Sequence, residues 1–250
     1  MRSIAVINQK GGVGKTTITA NLGHALFLAG KRTTVVDLDP QGHLAASLGI
    51  FRKPKRGVAD LMLGEARLDQ LAIRSRDHLI LLPAGERLGD INELVNGGAS
   101  RGQMLRNALN GDLADQDVVL FDCPPTAGLL MANAVLAADE VLVPVTGDYL
   151  GLNALAQLMQ TLKGFQAFRD KPLKHWIELS RFQPKRRLAR EVSQKLEQHF
   201  PGKVLGTPVR EAAVLAECPG VGRTIFEYRS GSRSAKEFKA LAGDLIAVQQ

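Results

Sequence analysis

The sequence predicts an α/β fold: a doubly wound, mostly parallel sheet flanked by helices. Two observations point there. Short runs rich in Val, Ile and Leu are continuous rather than alternating, as in strands buried on both faces. Those runs alternate with helix-like stretches along nearly the whole chain, the pattern of repeated βα units. A third observation fixes where a ligand belongs. The glycine-rich segment Asn8-Gln9-Lys10-Gly11-Gly12-Val13-Gly14-Lys15-Thr16-Thr17 lies between the first apolar run and the first amphipathic stretch.

The expected strands are Ser3–Ile7, Thr33–Asp37, His78–Leu82, Val118–Asp122, Glu140–Val145 and His175–Leu179. The expected helices are Thr16–Ala29, Leu88–Val95, Leu129–Ala137, Leu150–Phe168 and Leu188–His199. The basic stretch Phe51–Gly57 reads as an exposed loop, with no linker or repeat elsewhere, so residues 1–250 are expected to form a single domain. The phosphate loop begins at residue 9, so no DNA-reading module is expected ahead of it.

In a sheet of this kind ligands bind beyond the carboxyl ends of the strands. Three segments begin where expected strands end: the glycine loop, Asp37-Leu38-Asp39-Pro40-Gln41-Gly42, and Phe121-Asp122-Cys123-Pro124-Pro125. They are expected to converge on one edge. Gly11, Gly12, Val13 and Gly14 let backbone N–H groups turn toward phosphate oxygens, with the helix start and Thr17 completing the cradle. Lys15 is placed to reach the β- and γ-phosphates, and the Thr16 hydroxyl to take Mg2+. Asp122 closes an apolar strand, where a carboxylate needs a cationic or metal-bound water partner. Asp37 and Asp39, two residues apart, are placed to turn one carboxylate toward the metal and the other toward the γ-phosphate.

Composition narrows the setting. Net charge is +7, and residues 163–239 hold 17 Lys and Arg against 8 Asp and Glu. Residues 1–125 are close to balanced, with 15 against 13. A basic third of this density suits a phosphate backbone better than single-strand stacking, since few aromatics interleave with it. Two cysteines, Cys123 and Cys218, form no C-x-x-C pair and read as packing residues of a cytoplasmic chain.

Lys10–Thr17 with the two acidic segments, in this order and spacing, resembles the ParA/MinD/Soj family of ATPases and their deviant Walker A loop. The likeness is close over residues 1–150 and looser beyond. It implies ATP/ADP and Mg2+ as ligands, slow partner-stimulated hydrolysis, and Asp39 as the residue that orients or deprotonates the attacking water. It implies Lys10 as a signature lysine that reaches the partner's nucleotide in an ATP-bound homodimer. Arg210 and Arg233 match positions that contact DNA without sequence preference in the Soj-like branch, and Lys185, Arg186 and Arg187 are candidates to enlarge that patch. Pro219 matches a proline near the adenine. A ParB-like or cargo-adaptor protein is the implied activator, with the ATP form on the nucleoid. Two other readings stay open here. A MinD-like membrane-surface regulator is one, although the ending Leu241–Gln250 lacks the basic amphipathic helix that would anchor it and no stable membrane insertion is expected. A metal-cluster carrier is the other, disfavoured by the setting of both cysteines.

Overall fold

The computed structural model describes residues 1–91 and 99–248. Eight strands form one sheet: β1 (Arg2–Val6), β2 (Thr33–Asp37), β3 (Ile73–Arg76), β4 (Leu79–Leu82), β5 (Val118–Asp122), β6 (Glu140–Thr146), β7 (Lys174–Phe182) and β8 (Val209–Arg210). Their order is β3-β4-β2-β5-β1-β6-β7-β8. Every pairing is parallel except that of β3 with β4, a hairpin at one edge. The six expected strands are all present, displaced by a few residues at most. The expectation missed β3, whose sequence Ile-Arg-Ser-Arg carries no apolar run, and the two-residue β8.

Five described helices are nine residues or longer: α1 (Lys15–Leu28), α2 (Leu129–Ala137), α3 (Tyr149–Phe165), α4 (Arg187–His199) and α5 (Arg233–Ala247). Of the helix expected over Leu88–Val95, a 3-10 turn covers Arg87–Asp90, and residues beyond 91 lie outside the described ones. Helices cover both faces because strand side chains alternate between them. On one face Ala5, Val36, Phe121 and Val143 pack with Val135 of α2, Leu158 of α3 and Val192 of α4. On the other, Ile4, Val35, Leu120 and Leu142 pack with Ile18 and Leu22 of α1 and Phe238 and Leu241 of α5. α1 approaches the sheet closely at Gly23, where an added Cβ would stand 2.8 Å from Val35 Cγ1.

Strands β2, β5 and β1 are consecutive in the sheet, so the ends of all three motif-bearing strands lie side by side. In register, Asp37 at the end of β2 stands opposite Asp122 at the end of β5.

A buried carboxyl inside the sheet lies away from those motifs. Glu178 of β7 is fully buried and accepts a hydrogen bond from the Val209 N–H at 3.1 Å. Burial pushes its acid up to about 8, with Glu237 adding to the shift. A carboxyl raised in the folded state stabilises it at low pH, and that contribution is lost as pH rises from the unfolded value near 4.5 toward 8. Glu178→Gln keeps an acceptor for Val209 and removes the titration. Thermal melts at pH 5 and pH 8 are expected to show a smaller loss of stability with rising pH in the variant; an unchanged pH dependence would contradict the assignment.

Candidate functional site

The phosphate loop leaves β1 and is fixed at its start by Asn8. This buried side chain donates to the Pro144 carbonyl at 2.7 Å and accepts from the Lys10 N–H at 2.8 Å. Gly12 and Gly14 adopt positive φ values of 72° and 94°, and Gly14 is the residue at which α1 begins. Such φ values turn successive N–H groups toward one side at no Cβ cost. An added Cβ at Gly11 or Gly12 would meet no atom within 4 Å, so the cradle is open to a ligand there.

Two residues that the sequence reading did not single out hold the loop from the side. Ser180 Oγ donates to the Val13 carbonyl at 2.6 Å, and Arg181 Nη1 donates to the Gly12 carbonyl at 3.0 Å. Arg181 has a φ of 49°, the one positive value at a non-glycine position among the described residues. Strain of this sort at a ligand-binding edge persists only where its surroundings hold it. Here Glu211 does so, paired with the Arg181 guanidinium and bonded by Gln183. The only sequence signal for Ser180 and Arg181 is that they follow an expected strand at the same edge as the motifs.

Lys15 is buried at the start of α1. Burial pulls its ammonium below the usual lysine range, opposed by the charges of Asp122 and Asp39. Asp37 and Asp122 are 0% and 1% exposed. Burial pushes Asp122 up to about 7, against hydrogen bonds from Thr16 and Thr19 and the charge of Lys15. Asp37 is raised well above the carboxylate range by burial and then by Asp122. Each keeps one buried oxygen, its Oδ2, without a hydrogen-bond partner. Two oxygen donors in this state, with the Thr16 hydroxyl on Asp122, are the set that a hard divalent cation and its waters take.

Asp39 differs from both. It is half-buried, its N–H donates to Asp37 Oδ1 at 3.1 Å, and its Oδ1 accepts from the Gln41 N–H at 3.0 Å. It therefore lies in a turn above the buried pair, free at one oxygen to meet a water or a phosphate. Lys53, from the exposed basic loop, donates to the Pro40 carbonyl of this turn at 3.0 Å.

Lys10 points into its own chain. Its Nζ lies 3.0 Å from each carboxylate oxygen of Asp148 and 3.1 Å from Thr146 Oγ1. Asp148 also caps α3, accepting from the Gly151 N–H at 2.7 Å. Beside them opens a cavity of about 400 Å³ that Gly11, Gly12, Arg181 and Arg186 also line. A second cavity, of about 310 Å³, lies on the other side of the loop between Gly14, Thr17, Ser180 and the segment Val209–Ala216. Pro219 is not among its lining residues; it belongs to the turn Cys218–Val221 that follows.

The basic candidates divide into two groups. Lys185, Arg186 and Arg187 are exposed where α4 begins, and Arg187 pairs with Glu191. Arg210 and Arg233, from β8 and α5, both lie against Glu237. Cys123 and Cys218 are buried in cores on opposite faces of the sheet.

A family model described as an AAA domain matches residues 1–175. The chromosome-partitioning ATPase Soj of Treponema pallidum is 35% identical over 249 residues, covering 98% of this chain and 97% of that protein. The sporulation initiation inhibitor protein Soj of Bacillus subtilis is 34% identical over 247 residues, covering 98% of each. Among solved structures, cobyrinic acid a,c-diamide synthase of Mycobacterium smegmatis with a bound ATP analog and magnesium superimposes with a TM-score of 0.86. It is 30% identical and covers 100% of this chain and 96% of its own. Loop, acids and full-length similarity agree: the chain belongs to the ParA/MinD/Soj family of ATPases.

Proposed function

We propose that this chain is a ParA-type ATPase that dimerises with ATP, binds duplex DNA without reading its sequence, and positions a DNA or large protein cargo. The observation that carries this reading is a phosphate loop with two lysines set over a pair of buried acids, joined in one chain to a basic C-terminal third. The sheet that runs from β3 to β8 supports treating residues 1–250 as one ATPase domain. The partitioning roles in the names of the Soj relatives support the cargo class, and the ATP analog and magnesium of the Mycobacterium smegmatis structure support the ligands. A ParB-like or cargo-adaptor protein is the activator this reading calls for, with the ATP form on the nucleoid.

Magnesium, when bound, offsets charge on the phosphate oxygens. Thr16 would hold it directly, and Asp37 and Asp122 would hold it through water. Loop amides from Gly11 to Thr17 hold the phosphates, and Lys15 compensates charge on the terminal ones. The nucleoside occupies the cavity lined by Val209–Ala216, with the Pro219 turn next along the chain. Asp39 orients the attacking water or takes its proton, a role that suits a half-exposed acid above a buried pair. Lys10 exchanges Asp148 for the partner's nucleotide, supplying cationic charge as an arginine finger does. The membrane-surface alternative loses support from α5, whose Phe238, Leu241 and Leu245 are spent in the core. Among the described residues, no helix is long and apolar enough to cross a membrane.

The roles predict three distinct failures. Lys15→Ala is expected to lose ATP affinity. Asp39→Ala is expected to bind ATP and dimerise but hydrolyse it at least about 100-fold more slowly, as for loss of an acid–base group. Lys10→Ala is expected to bind nucleotide as a monomer and hydrolyse poorly. Nucleotide titration, steady-state phosphate release and light scattering read the three. Wild-type hydrolysis in Asp39→Ala, or a fully dimeric Lys10→Ala protein, would contradict the corresponding role.

Duplex binding is expected with ATP and not with ADP, indifferent to sequence and steeply salt-dependent. Log affinity falls against log salt by about 0.9 for each phosphate neutralised. Arg233→Glu is expected to weaken binding and flatten that slope while phosphate release without DNA continues, and Arg210→Glu, at a residue that also lines the nucleoside cavity, is expected to weaken duplex binding at saturating ATP. Titration of a random duplex at several salt concentrations checks this, with anionic vesicles as the parallel arm. Tight binding with ADP alone, or retention on vesicles and not on duplex, would overturn the DNA reading.

A further inference from the structure

Arg210 and Arg233 come from different elements, 23 residues apart in sequence, yet one carboxylate stands between them. Glu237 of α5 accepts a hydrogen bond from the Arg210 N–H at 3.1 Å through its Oε2. Its Oε1 lies 3.4 Å from Arg210 Nη1 and 3.6 Å from Arg233 Nε. The Glu237 side chain is only 11% exposed, whereas those of Arg210 and Arg233 are 37% and 63% exposed. The carboxylate is thus the buried floor and the two guanidinium groups are the outward layer.

Two positive charges over one negative leave this trio cationic. The charge is also incompletely hydrogen-bonded: Arg210 Nε and Glu237 Oε1 are buried atoms without a hydrogen-bond partner. The neighbouring carboxyl, Glu178, holds the N–H of Val209 as Glu237 holds that of Arg210. Two acids therefore fix both residues of the short strand β8 that carries Arg210. Ion pairs at 3.4 and 3.6 Å to one carboxylate oxygen bring both guanidinium groups to the same place on the surface, an arrangement that suits a shared anion.

We propose that Glu237 is a positioning residue that sets Arg210 and Arg233 side by side as one fork for a phosphate of duplex DNA. The proposal rests on the duplex-binding reading above and adds to it a residue of opposite charge. Its sign separates it from plain electrostatics. Removing a negative charge next to a DNA surface strengthens binding if charge alone matters. Removing a positioning carboxylate weakens it.

The test uses the full chain with ATP and magnesium, a random-sequence duplex, and parallel measurements of ATP affinity and thermal stability. Glu237→Ala is expected to weaken duplex binding about tenfold with ATP affinity unchanged, and Glu237→Gln, which retains an acceptor, to recover most of it. Arg210→Ala and Arg233→Ala are expected to be non-additive, the double variant losing little more than either single one, because both act on one phosphate. This cycle decides the matter if Glu237→Ala does not fold. Unchanged or tighter binding by a folded Glu237→Ala protein, or additive losses for the two arginines, would overturn the fork while leaving DNA binding intact. No duplex binding by the wild type at low salt would overturn both.

Discussion

Asp37 and Asp122 end neighbouring strands with both carboxylates out of water, and the site around them answers to that burial. Two adjacent acids in such a place repel each other, and burial holds both above their ordinary range. Within the chain Asp37 is compensated by the backbone N–H groups of Asp39 and Leu44, and Asp122 by Lys15 and the hydroxyls of Thr16 and Thr19. Lys15, Thr16 and Thr19 sit on the first turns of α1, directly after the glycine loop. The loop must therefore turn tightly enough to bring the start of α1 over the acids, and Gly12 and Gly14 make that turn. Its outer side cannot drift, since Asn8, Ser180 and Arg181 hold it at three points.

The groups assigned to moving parts are placed otherwise. Asp39 and Lys10 are both partly exposed, and both are held by partners that a ligand can replace. Asp39 sits in a turn closed by local hydrogen bonds and a lysine from a surface loop. Lys10 is held by Asp148, the residue that starts α3, so its release alters a charge at the head of a long helix. Asp37, Asp122 and Lys15 are buried, whereas Asp39 and Lys10, the residues proposed to act on the γ-phosphate, stand half-exposed at the rim.

Much of this was legible in the sequence because its cause is local. Six strands announced themselves as continuous apolar runs since helices cover both faces of the sheet. The motif residues follow those runs directly, so their convergence required only the rule for parallel sheets. Edge strands escaped notice for the converse reason: β3 is half-buried and polar, and β8 is two residues long. Contacts made through space carry no local signal. Nothing in Ser180-Arg181 announces a hold on the phosphate loop 169 residues away, and nothing in Glu237 announces the N–H of Arg210. Only likeness to the family points to Pro219, and the cavity beside the loop is lined by the segment just before it.

The central claim is that the buried acid pair and the lysine loop form one magnesium–ATP site. The most direct measurement is ATP affinity with and without magnesium, in the wild type and in Asp122→Asn. The account predicts that magnesium tightens ATP binding by the wild type and that Asp122→Asn loses this gain while its metal-free affinity is retained. An equal gain from magnesium in both proteins would contradict it.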